Sequence, residues 1–200
     1  MKTSRLICAI CIALLASGSA FGQSRFSVEV VGGESVNDLN GGYLSNWANG
    51  WTIGVGVGYE ASPDITIHAT LSFDRYPYRG GFSEPVLLSV TSSGYNVGGQ
   101  PSTAEEASLG FRFKLPSHNV IPFLSLNAGI RNLITGEQRP VGWTSSIPAI
   151  SSVNFFSAIG LGLAVPLNQS FAVSVEGSVR HVFGSNQNFV PLIAGVQFNL

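Results

Sequence analysis

Charged residues are scarce in this chain. Asp, Glu, Lys and Arg make up 10% of its 200 residues, whereas about 25% is usual for a soluble domain. After the N-terminal segment no apolar run approaches the 20 residues of a membrane helix. The only cysteines, Cys8 and Cys11, lie inside that segment, so the rest of the chain offers no disulfide, thiol nucleophile or thiolate metal site. A chain with so few charges is better suited to an apolar solvent than to water, and without a membrane helix it must meet that solvent in another form.

The N-terminal segment has the pattern of a secretory signal peptide. Lys2 and Arg5 precede an apolar run at 6–16 that is too short to span a bilayer as a helix. Small residues follow, and cleavage after Gly22 or after Ala20 satisfies the small-residue rule. We expect the exported protein to begin just beyond this point.

The predicted organisation is therefore a signal peptide at 1–22 and one domain at 23–200. Loss of Lys2 and Arg5 with the signal leaves 8 basic residues against 11 acidic ones, a net charge of −3. A negative domain does not suit nucleic acid as a partner.

Apolar and polar residues alternate in eight segments of the remaining chain. Residues 51–60 show the pattern most clearly, with Trp51 and Ile53 on one face and Thr52 and Gly54 on the other. The eight segments are 25–33, 51–60, 65–74, 105–115, 120–131, 153–165, 170–182 and 189–200. Alternation in segments of about ten residues, together with low charge and 24 glycines, predicts an all-β protein, an eight-stranded antiparallel up-and-down transmembrane β-barrel.

Connection lengths and aromatic positions support the same prediction. Short turns rich in Pro, Asn, Asp and Ser alternate with long connections rich in Gly and Ser, except for the short last connection at 183–188. The short turns are 61–64, 116–119 and 166–169, and the long connections are 34–50, 75–104 and 132–152. Short periplasmic turns and long external loops are typical of membrane barrels. Two aromatic girdles are expected, the outer one at Trp51, Phe73 and Phe155 and the inner one at Phe26, Tyr59, Phe113, Phe171 and Phe198.

The last segment resembles the closing strand of bacterial outer-membrane barrels. Val196, Phe198 and Leu200 end an alternating apolar face, although the family's usual terminal residue is Phe or Tyr. The mature chain as a whole resembles the small eight-stranded outer-membrane barrels of the OmpA/OmpX type. The resemblance implies a monomer of the cell outer membrane that contacts its lipids and lipopolysaccharide. It also implies insertion by the barrel assembly machinery, with these three residues as the assembly signal.

Charges on the predicted polar faces point to a network inside the barrel. The basic members are Arg112, Lys114, Arg131 and Arg180, and the acidic ones are Glu29, Glu106 and Glu176. Buried charges must be paired. We expect the network to neutralise a narrow lumen that side chains fill, and a gated pore is the alternative.

His181 and Ser185 are the candidate catalytic residues. Their segment is similar to the His and Ser-Asn segment of the outer-membrane lipid A deacylases, but the family spaces His and Ser two residues apart and here they are four apart. No partner carboxylate is identifiable by spacing. An interfacial histidine followed by a turn is the simpler interpretation, and a non-enzyme is predicted.

Neither a cofactor nor a metal site is predicted, because the histidines lack ligand spacing. Aromatic residues of the long loops, among them Tyr76, Tyr78 and Trp143, either contact a host, phage or neighbouring protein or belong to the aromatic belt and solvated loops. A soluble periplasmic barrel of the lipocalin type that binds an apolar ligand is the rival class.

Overall fold

The computed structural model describes residues 25–36, 47–79, 97–117, 119–140, 148–185 and 187–200. The predicted signal peptide and parts of the long loops, including Trp143, lie outside these ranges. Within them, no helix is long and apolar enough to cross a membrane.

Eight long strands form a closed, entirely antiparallel barrel, which confirms the predicted fold class. They are β1 Phe26–Val36, β2 Gly50–Ser62, β3 Ile65–Tyr76, β5 Ser102–Lys114, β6 Ile121–Thr135, β8 Ile150–Pro166, β9 Phe171–Val182 and β10 Gln187–Asn199. Each pairs with the next in this series, and β1 pairs with β10 from Ser27–Asn199 to Val36–Val190 to close the ring. Two short strands, β4 Val97–Gly99 and β7 Gln138–Pro140, pair with each other outside the barrel.

Several strands extend further toward the long loops than the alternation predicts. β6 continues to Thr135 instead of ending at Arg131, and β8 begins at Ile150 instead of Val153. The added residues include two polar ones on opposite faces of the barrel wall, Asn132 of β6 and Ser152 of β8. Backbone pairing needs no apolar side chains, so the ladder continues where the hydrophobic pattern has stopped.

The outward face of the barrel is apolar. Leu109, Phe155 and Leu161 are 61%, 71% and 69% exposed, and other large apolar side chains continue this surface around all eight strands. A soluble ligand-binding barrel has the opposite arrangement, with its polar face toward water. An apolar band this extensive is what a membrane barrel presents to lipid, and the soluble rival class is therefore wrong.

Aromatic rings pair near both ends of this band. At the short-turn end, the Phe26 and Tyr59 ring centroids are 5.1 Å apart, and those of Phe171 and Phe198 are also 5.1 Å apart. Toward the long loops, Trp51 and Phe73 lie 5.8 Å apart. Their positions agree with the two expected girdles.

Local hydrogen bonds explain the tight turns. Asn168 Oδ1 accepts the backbone N–H groups of Ser170 at 2.8 Å and Phe171 at 2.9 Å, an Asx turn that starts β9. Between β9 and β10, Gly184 has φ +87°, a left-handed conformation that favours glycine. A side-chain hydrogen bond thus shapes the turn before β9, and a glycine shapes the turn after it.

The predicted assembly residues lie at the seam where the barrel closes. Val196 is 40% exposed on the outward face, and the Phe198 ring contacts Phe171. Leu200 follows the last strand, and its N–H donates to the carbonyl of Phe26 at 3.0 Å. Both ends of the described chain therefore meet at the short-turn end.

Candidate functional site

Charged side chains converge in the lumen from strands that are not neighbours. Arg112 of β5 places Nη2 3.2 Å from Glu29 Oε2 of β1 and 3.2 Å from Glu176 Oε2 of β9. The hydroxyl of Ser174 donates to Glu29 at 2.7 Å, and that of Ser125 donates to Glu176 at 2.6 Å. We call Arg112, Glu29 and Glu176 the Arg112 cluster. Its single cation faces two carboxylates, so serine hydroxyls supply the remaining donors.

A second group, the Arg131 cluster, lies nearer the long loops and comprises Arg131, Asp74, Glu106 and Arg180. Arg131 Nη1 is 3.5 Å from Asp74 Oδ2 and forms an ion pair with Glu106, whose second oxygen is paired with Arg180. Asp74 is 0% exposed and Arg131 1%. Two cations and two carboxylates balance here, as burial without water requires.

Aromatic side chains cover the Arg131 cluster on the long-loop side. This aromatic cap consists of Trp47, Tyr76, Tyr78, Phe156 and Phe189 with Ala104, Leu133, Ala158 and Val182. The Arg131 guanidinium lies 4.0 Å from the centre of the Phe189 ring and donates to Tyr76 OH at 2.9 Å. Tyr76 OH in turn donates to Asp74 at 3.2 Å. The cap is thus joined to the ions beneath it by a cation–π contact and hydrogen bonds.

Residues from the loops complete the cap. Trp47 Nε1 donates to the carbonyl of Gln100 at 3.0 Å, and its ring meets Tyr78 edge-on at 5.7 Å. Burial raises the pKa of the Tyr78 hydroxyl. An uncharged, closely packed layer therefore closes this end of the lumen in the described part of the chain.

Glycine leaves the space that the ion pairs occupy. A Cβ on Gly160 would lie 2.5 Å from Ser125 Oγ and 2.8 Å from Glu176 Oε1. Contacts this short require something to move. Gly160 therefore makes room for the Glu176 carboxylate, and Gly195 does the same for that of Glu29.

The short-turn end differs because it is open. A cavity of about 650 Å³ lies there, lined by Arg25, Glu60, Lys114 and Gln197 among others. Lys114 Nζ is 2.7 Å from Glu60 Oε1, and both side chains are partly exposed.

Lys114 was expected to join the three predicted glutamates, and the structure places it elsewhere. It lies two residues beyond Arg112 on the same face of β5, about 7 Å nearer the open mouth. Glu60 is its ion-pair partner there. Of the predicted basic residues, Arg112, Arg131 and Arg180 do meet the predicted acids.

Several residues of the site were missing from the predicted network. Asp74, which is paired with Arg131, was not among the predicted charges. Phe123, Phe156 and Phe189 point inward, and the Arg112 guanidinium stacks 4.3 Å from the Phe123 ring centre. The signal was present, because each phenylalanine occupies the polar-face position of its strand.

The candidate catalytic pair is not assembled. His181 Nδ1 is hydrogen-bonded to Asn188 Oδ1 at 3.0 Å, and its ring packs edge-on against Phe183. The hydroxyl of Ser185 is buried and has no hydrogen-bond partner, so it is not hydrogen-bonded to His181. A serine without a base is not activated. In the described ranges, no three His, Cys, Asp or Glu side chains are grouped to hold a metal ion.

Comparison with known proteins gives matches at the level of structure. No protein-family model matches the sequence, and no curated protein matches it. Neisserial surface protein A has a TM-score of 0.56 at 13% identity over 90% of this chain and 100% of the other. A major outer membrane protein of Thermus thermophilus has a TM-score of 0.56 at 14% identity over 86% of this chain and 98% of the other.

Ail, the attachment invasion locus protein of Yersinia pestis, has a TM-score of 0.55 at 14% identity over 88% of this chain and 99% of the other. Identities this low establish the fold alone. The closed eight-stranded ring, the outward apolar band and these likenesses agree with the resemblance found in the sequence. The chain has the fold of the small eight-stranded outer-membrane β-barrels.

Proposed function

We propose that the protein is an integral barrel of the cell outer membrane with a structural or surface-interaction role. The observation that carries the proposal is the apolar outward face, which extends around all eight strands and is edged by aromatic rings. Water is a poor solvent for such a surface, whereas lipid tails suit it. The closed ring leaves no unpaired barrel edge in the bilayer.

The lumen serves as a packed core and not as a pore. Across it lie the Arg112 cluster, the Arg131 cluster and the aromatic cap. The ion pairs of Arg112 with Glu29 and Glu176, and of Arg180 with Glu106, connect strands that are not neighbours in the ring. An eight-stranded barrel leaves an interior just wide enough for side chains. The buried ion pairs therefore stabilise the packing of the strands around the lumen.

The loop end is the surface for interaction. Three connections interlock there: Trp47 contacts Tyr78 and Gln100, and β4 pairs with β7. A rigid base under long loops suits recognition of an external partner. Lipids and lipopolysaccharide would surround the barrel, and the barrel assembly machinery would insert it as a monomer.

Fractionation of cells followed by gel electrophoresis with and without boiling tests the location. We expect the protein in the outer-membrane fraction and a band whose mobility changes on heating, because a folded barrel resists detergent. A protein released into the periplasmic fraction, with no mobility change, would refute the proposal.

Conductance in planar lipid bilayers tests the filled lumen separately. We expect no stable ion conductance from the purified protein. Discrete, reproducible channel openings at neutral pH would instead support the gated-pore alternative, while leaving the membrane location intact.

A further inference from the structure

The ladder between β9 and β10 contains a gap. The strands pair from Gln187–Val182 to Phe189–Arg180 and again from Leu192–Gly177, and the register is the same on both sides. Between these stretches, the pairs Val190–Val179 and Pro191–Ser178 are missing from the hydrogen-bonded ladder. Because the register does not shift, the gap is a loss of hydrogen bonding and not a β-bulge.

Pro191 explains the gap. Proline has no N–H, so the carbonyl of Ser178 opposite it loses its ladder donor. On its other side, Pro191 pairs normally with Ser35 of β1. The other prolines of the described barrel strands, Pro122 and Pro166, lie within two residues of a strand end, where a missing donor is tolerated. Pro191 is the fifth residue of its strand.

The surroundings make this gap costly. Val179 and Leu192, next to the gap on the outward face, are 47% and 56% exposed and belong to the apolar band. Lipid offers no donor to the Ser178 carbonyl, and an unsatisfied backbone group in a bilayer is unfavourable. On the luminal side, Gln187 is buried and its Nε2 has no hydrogen-bond partner either.

The gap also lies directly beside the aromatic cap. Phe189 precedes Val190, and Val182 follows closely after Val179, so both strands carry cap residues just beyond the unpaired stretch. Three residue pairs connect the two strands between the gap and the turn. The hydrogen bond between His181 and Asn188 also joins the strands there. This short hairpin end is thus held by fewer pairs than the seven-pair ladder on the other side of the gap.

We propose that the β9–β10 seam at Val190–Pro191 is a built-in point of opening, at which the hairpin end carrying Phe189 moves out of the cap before the rest of the barrel wall yields. The inference rests on the proposed membrane location of the outward face. Its test uses purified, folded barrel, so its failure is distinguishable from a failure of the fractionation experiment.

Hydrogen–deuterium exchange of the folded protein in lipid nanodiscs tests the seam. We expect amides at 179–182 and 188–192 to exchange up to about tenfold faster than those at 124–130 of β6, since one hydrogen bond contributes up to about that factor in an opening equilibrium. Equal protection of the two regions would overturn the proposal.

A variant with a backbone N–H at position 191 tests whether the missing donor loosens the seam. Pro191→Val returns an N–H opposite Ser178 and keeps an apolar side chain of similar size in the lumen, and it should slow exchange at 179–182 about tenfold. Pro122→Val, at a strand end, is the control and should leave these amides unchanged. If Pro191→Val folds and does not slow them, the missing donor is not what loosens the seam.

If Pro191→Val fails to fold, a cross-link replaces it. Val179→Cys with Val190→Cys places two thiols directly opposite each other at the gap, in a mature chain that has no other cysteine. Oxidation should suppress the fast exchange, and reduction should restore it. Fast exchange that persists in the oxidised protein would refute opening at this seam.

Discussion

Both halves of the lumen contain ion-paired side chains, but one half is covered by aromatic rings and the other opens toward water. Toward the long loops, the Arg131 cluster is sealed beneath aromatic rings, and its two cations balance two carboxylates. Toward the short turns, the Arg112 cluster has one cation for two carboxylates and lies above a cavity of about 650 Å³ that opens at the mouth. Charge balance is strict where water is excluded and relaxed where water is near.

The comparison predicts that an ion pair becomes less important to stability the nearer it lies to the open mouth. A buried carboxylate that loses its cation has no alternative partner, whereas water replaces a lost partner at the mouth. Three of the four substitutions below remove an ion-pair partner at successive levels of the lumen, and one truncates the aromatic cap.

Removal of Arg131 should have the largest effect. Arg131→Met leaves Asp74 and Glu106 with only Arg180, and we expect a loss of about 3–5 kcal/mol in the free energy of unfolding. Urea unfolding in detergent, followed by gel mobility, measures it. Lys114→Met, which removes the charge of another long basic side chain at the open mouth, is the control. Equal losses in the two variants would contradict the comparison.

Truncation in the aromatic cap should come next. Phe189→Ala removes the ring that lies over Arg131 and opens a cavity beneath the loops, for an expected loss of about 3 kcal/mol. The same unfolding assay applies. Phe171→Ala, on the lipid-facing girdle, should cost clearly less because lipid fills the space. A Phe171 variant as unstable as the Phe189 variant would show that the cap is not a packed core.

Neutralising one acid of the Arg112 cluster should have an intermediate effect. In Glu176→Gln, Arg112 retains Glu29, and we expect a loss of about 1.5 kcal/mol, which appears as a lower melting temperature in detergent. Adding Glu29→Gln leaves Arg112 without a carboxylate and should lower stability by more than the sum of the single changes. Unchanged stability in Glu176→Gln would mean that the groups are not coupled.

The smallest effect belongs to the ion pair at the mouth. Glu60→Gln breaks the contact with Lys114 between two partly exposed side chains, and less than about 1 kcal/mol should be lost. Melting curves at low salt and at about 1 M salt check the origin, because screening removes the contribution of exposed charges. A larger loss that salt does not alter would place this pair with the buried ones.

Alternation of side chains predicted the wall of the barrel well and its interior only in part. Leu109 and Leu161 had to be apolar because they face the outward solvent, so the period-two pattern was strong there. No such rule governs the inward face: Phe156 and Phe189 occupy polar-face positions, since the cap needs apolar packing inside the barrel. A pattern that sorts apolar from polar residues misses this exception.

Ion-pair partners were less predictable still. Arg112 of β5 meets Glu29 of β1 and Glu176 of β9, strands that lie across the lumen from it. Which residues face each other across a barrel depends on the stagger of the strands as the ring closes. Alternation within each segment carries no information on stagger, so Lys114 was grouped with the wrong acids and Asp74 was left out.

The close fit around Gly160 has a consequence for how such a sequence changes over time. Outside, any apolar residue satisfies lipid, so substitutions there are nearly interchangeable. Inside, a single added methyl group displaces Ser125 or Glu176, and a new charge demands a new opposite charge. We therefore expect inward positions to change in compensating pairs and outward ones to drift singly. A barrel that drifts in this way keeps its architecture while most of its sequence changes.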